Sequence, residues 1–345
     1  LILRKLLNTL YVTSQGAYLS KEGETVLVKV DNHIKLRLPI HTLEGIVCLG
    51  NILCSPGLLH LCADRNVTVS FLSSYGKFLA RVTGPVSGNV LLRREQFRWA
   101  DDDGKKIPIA RAIVLAKIFN TRKILERAGR DHPTGTCNEE LLSRSKMMAR
   151  ILRHVESVDG VDQLRGKEGE AARVYFSVFN YLITTQKEDF TFYERNRRPP
   201  LDSVNALLSF IYTILLHDCI SALESAGLDP AVGFFHVDRP GRPGLALDIM
   251  EELRPILADR LVLSLINRQQ VKKKGFRKTE SGGVIMDEET RKTVLMAYQK
   301  RKMDEINHPF IQEKIQLGNI PYVQSMLLAR HIRGDLEGYP PFFWR

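Results

Sequence analysis

The sequence predicts an α+β protein in which a small N-terminal β-rich domain, residues 1–98, precedes a larger all-helical domain, residues 109–345. Two contrasting periodicities lead to that division. Up to about Arg98 the apolar residues come in short, β-branched, partly alternating runs, the pattern of half-buried strands. After Pro108 they recur at spacings of three and four, the pattern of a helix with one buried face. The stretch between, "WADDDGKKIP" at 99–108, is polar and broken by glycine and proline, and reads as a linker.

Taken in order, the strands are "TVLVKV" at 25–30, "HIKLRLPI" at 33–40, "GIVCLG" at 45–50, "VTVSFLS" at 67–73 and "FLARV" at 78–82. "KEGE" at 21–24 supplies a turn between two strands. "PGLLHLCADRN" at 56–66 is a short helical insert. Helical stretches follow at 109–128, 139–158, 161–185, 203–226 and 247–265. Past Lys272 the chain is charged and mixed, and neither half shows an internal repeat.

At 345 residues the chain is long enough for two cores. Its apolar share of 44% is that of globular proteins and excludes disordered and fibrous classes. Lys and Arg outnumber Asp and Glu by 50 to 39, a formal net charge of +11. That balance favours a polyanionic partner, either nucleic acid or an anionic membrane. The longest apolar stretch, residues 206–216, is shorter than the ~20 residues a bilayer span needs. The opening "LILRKLLNTLYV" turns polar too soon for a signal peptide. Both points lead to an expectation of the cytoplasm without membrane contact. The five cysteines, Cys48, Cys54, Cys62, Cys137 and Cys219, form no CxxC pair and match no zinc spacing, and they read as reduced thiols.

Some polar residues fall where a structural pattern calls for apolar ones. On a helix at about 100° per residue, Leu164, Ala171, Ala172, Tyr175, Phe179 and Leu182 share one stripe, with Glu168 in its middle. A buried carboxylate needs a partner, a proton or a cation. A salt bridge to Arg173 or Arg254 is the plain alternative to a ligand role. Gly166 and Gly169 flank Glu168, and glycine inside a helix often marks close approach by a backbone or a ligand.

His236 lies in "GFFHVDRPGRPG", a loop whose Arg239 and Arg242 suit phosphate contact. On the helix after it, Asp248, Glu251 and Glu252 cluster opposite Ile249, Leu253, Ile256 and Leu257. A solvated face near the positive end of the helix dipole would explain these acids. So would a site for Mg²⁺ or Mn²⁺ completed by His236; the HExxH spacing of zinc hydrolases is missing. Arg195, Arg197 and Arg198 precede two prolines. Beyond them Asp202, Asn205, Ser209 and Tyr212 make a polar stripe on an apolar rod. That stripe is either a hydrogen-bond network between elements or part of a site. His217 reads as structural, and the basic run at 267–278 as a solvated loop or a DNA contact.

Four blocks stand in order: "GKEGEAARVYF", "RNRRPPLDSVNALLSFIYTIL", "GFFHVDRPGRPGLALDIMEELRP" and "INR". That order resembles the Cas-one family of CRISPR spacer-acquisition integrases. "LYVTSQGAYLSKEGETV", "LEGIVCLG" and "VTVSFLSSYGKFLARVTGPVSGNVLLRR" are similar to the version found with type I, subtype C systems. The resemblance implies a dimerising β domain and a helical catalytic domain with a Mg²⁺ or Mn²⁺ site. The implied metal ligands are Glu168, His236 and Glu251, with Asp248 a neighbouring acid one turn earlier. Which of the two acids touches the metal stays open. The implied partners are double-stranded DNA (a captured fragment and the CRISPR repeat), a second copy forming a homodimer, and the small Cas-two protein bridging two dimers.

The implied reaction is transesterification, in which a 3′ hydroxyl of the captured DNA attacks a phosphodiester at a repeat end. Arg197, Arg198, Arg239, Arg242 and Arg254 are the candidate phosphate-binding residues. No GxxxxGK[ST] loop is present, so no nucleotide hydrolysis is expected. Two alternatives stand beside this reading. One is a general metal-dependent nuclease acting on branched or single-stranded DNA. The other is a non-catalytic basic DNA-binding scaffold in which Glu168 is merely salt-bridged.

Overall fold

The computed structural model describes residues 9–43, 45–73, 78–84, 90–131 and 136–344, without the side chains of Thr136 and Cys137. The first eight residues of the opening segment and the Cys137 thiol therefore lie outside the described residues.

The N-terminal part runs β1 (Thr9–Val12), β2 (Tyr18–Glu22), β3 (Thr25–Val30), β4 (His33–Pro39), β5 (Gly45–Leu49), β6 (Leu53–Cys54), α1 (Pro56–Asp64), β7 (Thr68–Leu72) and β8 (Phe78–Val82). Two four-stranded sheets result, in the orders β4-β3-β2-β6 and β1-β5-β7-β8. The β2–β3 hairpin reverses through "KEGE", where Gly23 adopts φ +56°, a left-handed backbone that glycine takes without a Cβ clash. Ser55 caps α1 by accepting the Leu58 N–H at 3.2 Å, and Pro56 occupies the first turn. Leu19, Val26, Ile46, Leu58 and Val69 close a core between the sheets and α1.

The helical part comprises α2 (Val90–Asp101), α3 (Asp103–Asp131), α4 (Thr136–Val155), α5 (Val161–Ser177), α6 (Ser203–Ser225), α7 (Gly244–Leu253), α8 (Arg260–Asn267), then α9 (Glu288–Lys302) and α10 (Ile320–Ile332). Two short hairpins are set among the last of these: β9 (Phe276–Lys278) with β10 (Val284–Met286), and β11 (Glu305–Asn307) with β12 (Lys314–Gln316). The larger part is thus predominantly rather than wholly helical.

The expected linker at 99–108 is helical. Its break is confined to Asp102, whose carboxylate accepts the Gly104 N–H at 2.8 Å while its carbonyl starts α3. Gly104 falls in the first turn of α3, before the intrahelical bonds begin, whereas Pro108 lies inside the helix and leaves the Gly104 carbonyl without its usual donor. The stretch expected as one helix over 247–265 also differs: α7 passes through a π turn, Arg254–Asp259, before α8. Pro255 cannot donate to the preceding turn, and the ladder widens there.

α6 packs between α7 and α10. At 23 residues it is long and apolar enough to cross a membrane by length and composition, and 56% of its most apolar window is buried inside the fold. A core helix enclosed on most sides has that composition for packing reasons.

Candidate active site

Two glycines set the geometry around His236. A Cβ on Gly233 would stand 2.8 Å from the Gly244 carbonyl carbon, and one on Gly244 would stand 2.7 Å from the Ala231 oxygen. Only glycines allow the loop to lie this close to the start of α7. The approach brings three successive backbone N–H groups onto one carboxylate. Asp248 accepts Phe234 N at 2.7 Å, Phe235 N at 2.9 Å and His236 N at 3.0 Å. The same carboxylate lies 2.6 Å from His236 Nδ1. A carboxylate only accepts, so Nδ1 carries a proton, and in the neutral imidazole the lone pair is on Nε2.

Asp248 is fully buried and its oxygens are committed to these four donors. It orients the imidazole. Glu251, one turn later, approaches the other ring nitrogen: its Oε1 lies 3.8 Å from His236 Nε2. The two acids therefore have different tasks, which their spacing in the sequence did not reveal.

Glu251 is 3% exposed and sits between two cations. Arg254 Nη1 is 2.8 Å from Oε1, and Lys117 Nζ is 2.6 Å from Oε2. The Lys117 contact closes an ion pair on Oε2 while Arg254 holds Oε1. Burial pushes this carboxyl's pKa up, but Arg254 and then Lys117 outweigh it and hold the pKa at about 2. Lys117 also pairs with Glu168 of α5. The salt-bridge partner of Glu168 is thus Lys117 of α3, rather than Arg173 or Arg254.

Three helices and a loop are drawn together here: Glu168 and Glu251 flank the Lys117 ammonium, and His236 Nε2 lies 3.8 Å from the other oxygen of Glu251. Among the described residues no three carboxylate, imidazole or thiol groups stand at coordinating separation. The Lys117 ammonium occupies the gap between the two glutamates. Two hard oxygens plus one imidazole nitrogen form a donor set suited to Mg²⁺ or Mn²⁺. Glu251 Oε2 and Glu168 Oε1, which both face that ammonium, are the oxygens such an ion would take. The donor set fits a divalent ion that takes the place of the ammonium.

The alternative of a solvated acidic face is excluded, since Asp248, Glu251 and Glu252 are all buried. Glu252 points to the opposite side of α7. It accepts Tyr339 OH at 2.6 Å, the Phe342 N–H at 2.8 Å and Gln324 Nε2 at 3.0 Å, fastening the chain end to the site helix. Burial raises its pKa to about 7 against those hydrogen bonds. Gly166 and Gly169 are not explained by a neighbouring backbone, since a Cβ on either would meet nothing within 4 Å.

Tyr212 stands beside the site. Its ring lies between the guanidinium groups of Arg195 at 5.3 Å and Arg254 at 4.9 Å, and its hydroxyl donates to Asp259 at 2.6 Å. Arg254 is buried and tied to Glu251, so it does not extend to solvent with the other candidate phosphate-binding arginines. Asn205 and Ser209 are drawn away from the carboxylates. Asn205 Oδ1 accepts Arg195 Nη1 at 2.6 Å and Ser209 Oγ accepts Arg195 Nη2 at 3.1 Å. The polar stripe of α6 is a docking track for Arg195.

A water-scale cavity of about 50 Å³ is lined by Lys117, Glu168, Arg195, Arg197, Tyr212 and Arg254, among others. A separate groove of about 2840 Å³ lies between the strands and helices, lined in part by Arg197, Arg198, Arg239 and Arg242. Arg197 borders both, which connects the basic groove to the carboxylates.

Neither Lys117 nor Asp259 stands out in the sequence as a site residue, and Arg195 stands out only as part of a basic loop. A signal for Lys117 existed: it falls on one helical stripe with buried Val114, Thr121 and Leu125, just as Glu168 interrupts its own stripe.

A family model described as CRISPR associated protein Cas1 matches residues 10–300. A Chlorobaculum tepidum protein named CRISPR-associated endonuclease Cas1 1 is 53% identical over 343 residues, covering 99% of this chain and 100% of that protein. A casposase bound to an integration product superposes with a TM-score of 0.83 at 20% identity, over 96% of this chain and 93% of the casposase chain. A chain of a Cas6-RT-Cas1–Cas2 complex gives a TM-score of 0.84 at 23% identity, over 99% of this chain and 36% of that one. Both structural likenesses concern the fold. The match over most of the length, joined to the identity with the C. tepidum protein, makes this chain a member of the Cas1 family.

Proposed function

We propose that this chain is a metal-dependent DNA integrase and endonuclease of CRISPR adaptation. The observation that carries the reading is that distant segments bring Glu168 and Glu251 onto one ammonium, with His236 Nε2 3.8 Å from the other oxygen of Glu251. The name of the C. tepidum relative supports endonuclease chemistry, and the casposase likeness supports strand joining.

Glu168, Glu251 and His236 are the residues that would hold the ion. Bound there, Mg²⁺ or Mn²⁺ supplies charge that polarises a phosphodiester and lowers the pKa of an attacking hydroxyl. Asp248 keeps the His236 lone pair on Nε2. Arg254 locks the Glu251 rotamer. The Nε atoms of Arg195 and Arg254 are buried without acceptors, and both residues line the small cavity. A phosphoryl oxygen would give those donors what they lack. In the joining step a bond forms from the 3′ oxygen of the captured DNA to phosphorus. The bond from phosphorus to the 3′ oxygen of the repeat strand breaks; the attacking hydroxyl loses its proton and the departing oxygen gains one. Water in place of the hydroxyl gives nuclease cleavage.

Arg197, Arg198, Arg239 and Arg242 in the large groove would carry the DNA backbone. The likeness to a chain assembled with Cas2 supports the small Cas-two protein as a partner, and the basic balance supports double-stranded DNA. A homodimer joined through the β sheets, a cytoplasmic location and the type I, subtype C assignment are parts of the same proposal, the last resting on the N-terminal segments.

The test supplies a repeat-bearing supercoiled plasmid and a duplex fragment with 3′ hydroxyls, with Mn²⁺. Joined product is expected from the wild type. Glu168→Ala and His236→Ala should abolish joining while retaining DNA binding. Cleaved fragments without joined product would favour a general nuclease, and joining that persists in EDTA would remove the metal from the account.

A further inference from the structure

We infer that Lys117 is a resident counter-cation that keeps the two glutamates together in the metal-free protein and must be displaced for a divalent ion to bind. The inference rests on the proposed metal site and says what regulates its occupancy.

Charge makes Lys117 necessary. Glu168 and Glu251 project from α5 and α7 into a largely enclosed space, with side chains 23% and 4% exposed. Two carboxylates in such a place repel one another and lose hydration, and each needs compensation. Arg254 pairs directly with Glu251, through Oε1, and reaches Glu168 only through space. Lys117, itself 15% exposed, is the group that serves both. It ties α3 to α5 and α7 through one ammonium.

Distance makes Lys117 and a metal exclusive. Lys117 Nζ is 2.6 Å from Glu251 Oε2 and in contact with Glu168 Oε1. A Mg²⁺ or Mn²⁺ ion binds carboxylate oxygens at roughly 2.1 Å, so an ion shared by the same two oxygens would overlap the ammonium. Like charges at that separation also repel strongly in a half-enclosed site. The metal and Lys117 therefore compete for one position.

The ammonium also has room to leave. Lys117 borders the cavity of about 50 Å³ beside Glu168, which also reaches Tyr212 and Asp259. A lysine side chain is flexible and its ammonium compact, so it can withdraw toward that space with little backbone change. Arg254, stacked on Tyr212 and paired with one glutamate only, stays in place.

The experiment measures Mn²⁺ binding to the full chain by the loss of the free-ion electron paramagnetic resonance signal, in wild type and Lys117→Met. The variant is expected to bind Mn²⁺ at least about tenfold more tightly. Its metal-free form should melt lower than the wild type, and saturating Mn²⁺ should close that gap. Equal or weaker Mn²⁺ binding by a folded variant overturns the inference while leaving the metal site intact. If neither protein binds Mn²⁺, the metal site itself fails and the inference with it. A second measurement needs no variant: acetic anhydride labelling of wild-type Lys117, read by mass spectrometry. Labelling is expected to rise several-fold on Mn²⁺ addition; an unchanged or lower yield overturns the displacement.

Discussion

His236 Nδ1 lies 2.6 Å from Asp248 Oδ1, and that carboxylate also accepts the backbone N–H of His236 and of the two residues before it. One buried acid thus fixes both the loop and the tautomer of its imidazole. Asp248→Asn would set an amide NH₂ against donors. The expected result is a loss of roughly 10–100-fold in Mn²⁺ affinity, as for other residues that orient a metal-binding histidine. Titration calorimetry checks it, with joining activity falling in parallel.

The glycines divide into two kinds. Gly233→Ala forces a methyl to 2.8 Å from the Gly244 carbonyl carbon and 3.0 Å from Asp248 Oδ2. Overpacking of this sort costs about 1–3 kcal/mol, and urea unfolding should show it. Gly169→Ala meets nothing within 4 Å. Restoring helix propensity there should stabilise the protein by up to ~1 kcal/mol. A stabilised Gly169→Ala protein that binds DNA more weakly would show that the open space belongs to the nucleic acid.

Asp259 supplies a pH test. Burial, opposed first by the hydrogen bond from Tyr212, raises its pKa from 3.8 to about 6. In the unfolded chain the carboxyl loses its proton near pH 4; in the folded protein it keeps it to about pH 6. The folded state therefore binds more protons across that window, and stability from this group is lost as pH rises through it, by roughly 3 kcal/mol. Asp259→Asn removes the dependence. Its melting temperature relative to wild type should rise between pH 4.5 and pH 7.5; a constant difference would contradict the assignment.

The arginines of the large groove should act through their charge on the DNA backbone. Removing Arg197 and Arg239 together should weaken DNA binding with little regard to sequence. It should also flatten the slope of log affinity against log salt by about 0.9 for each phosphate no longer neutralised. Fluorescence anisotropy at several salt concentrations reads both. An unchanged slope would place the DNA elsewhere on the surface.

Much of this was legible in the chain. Period-two and period-three-to-four patterns located the strands from Thr25 to Val82 and the helices α3 to α8, because those patterns record burial directly, whereas α9 and α10 lie in the mixed stretch past Lys272 and were not located. Glu168 stood out because a carboxylate interrupted an apolar stripe. His236 was placed by its arginine- and glycine-rich neighbourhood and by the family pattern. What stayed hidden depended on partners far along the chain. The three acids of α7 look alike in sequence, yet Asp248 serves a loop, Glu251 faces Lys117 and Glu252 anchors Tyr339 and Phe342. Residues 99–108 looked like a linker because glycine and proline are helix breakers, whereas here Gly104 sits in the first turn of α3 and Pro108 is tolerated inside it. Asn205 and Ser209 looked like site residues because a polar stripe must bond something, and its partner, Arg195, lies in the loop just before α6.

The central claim is that Glu168, Glu251 and His236 together hold one divalent ion. A crystal of the full chain soaked in Mn²⁺ and read by anomalous scattering addresses it most directly. The account predicts one strong peak within coordinating distance of an oxygen from each glutamate and of His236 Nε2, with the Lys117 ammonium moved off Glu251. A soaked crystal with Lys117 still between the glutamates and the manganese bound elsewhere, from protein that joins DNA in Mn²⁺, would contradict it.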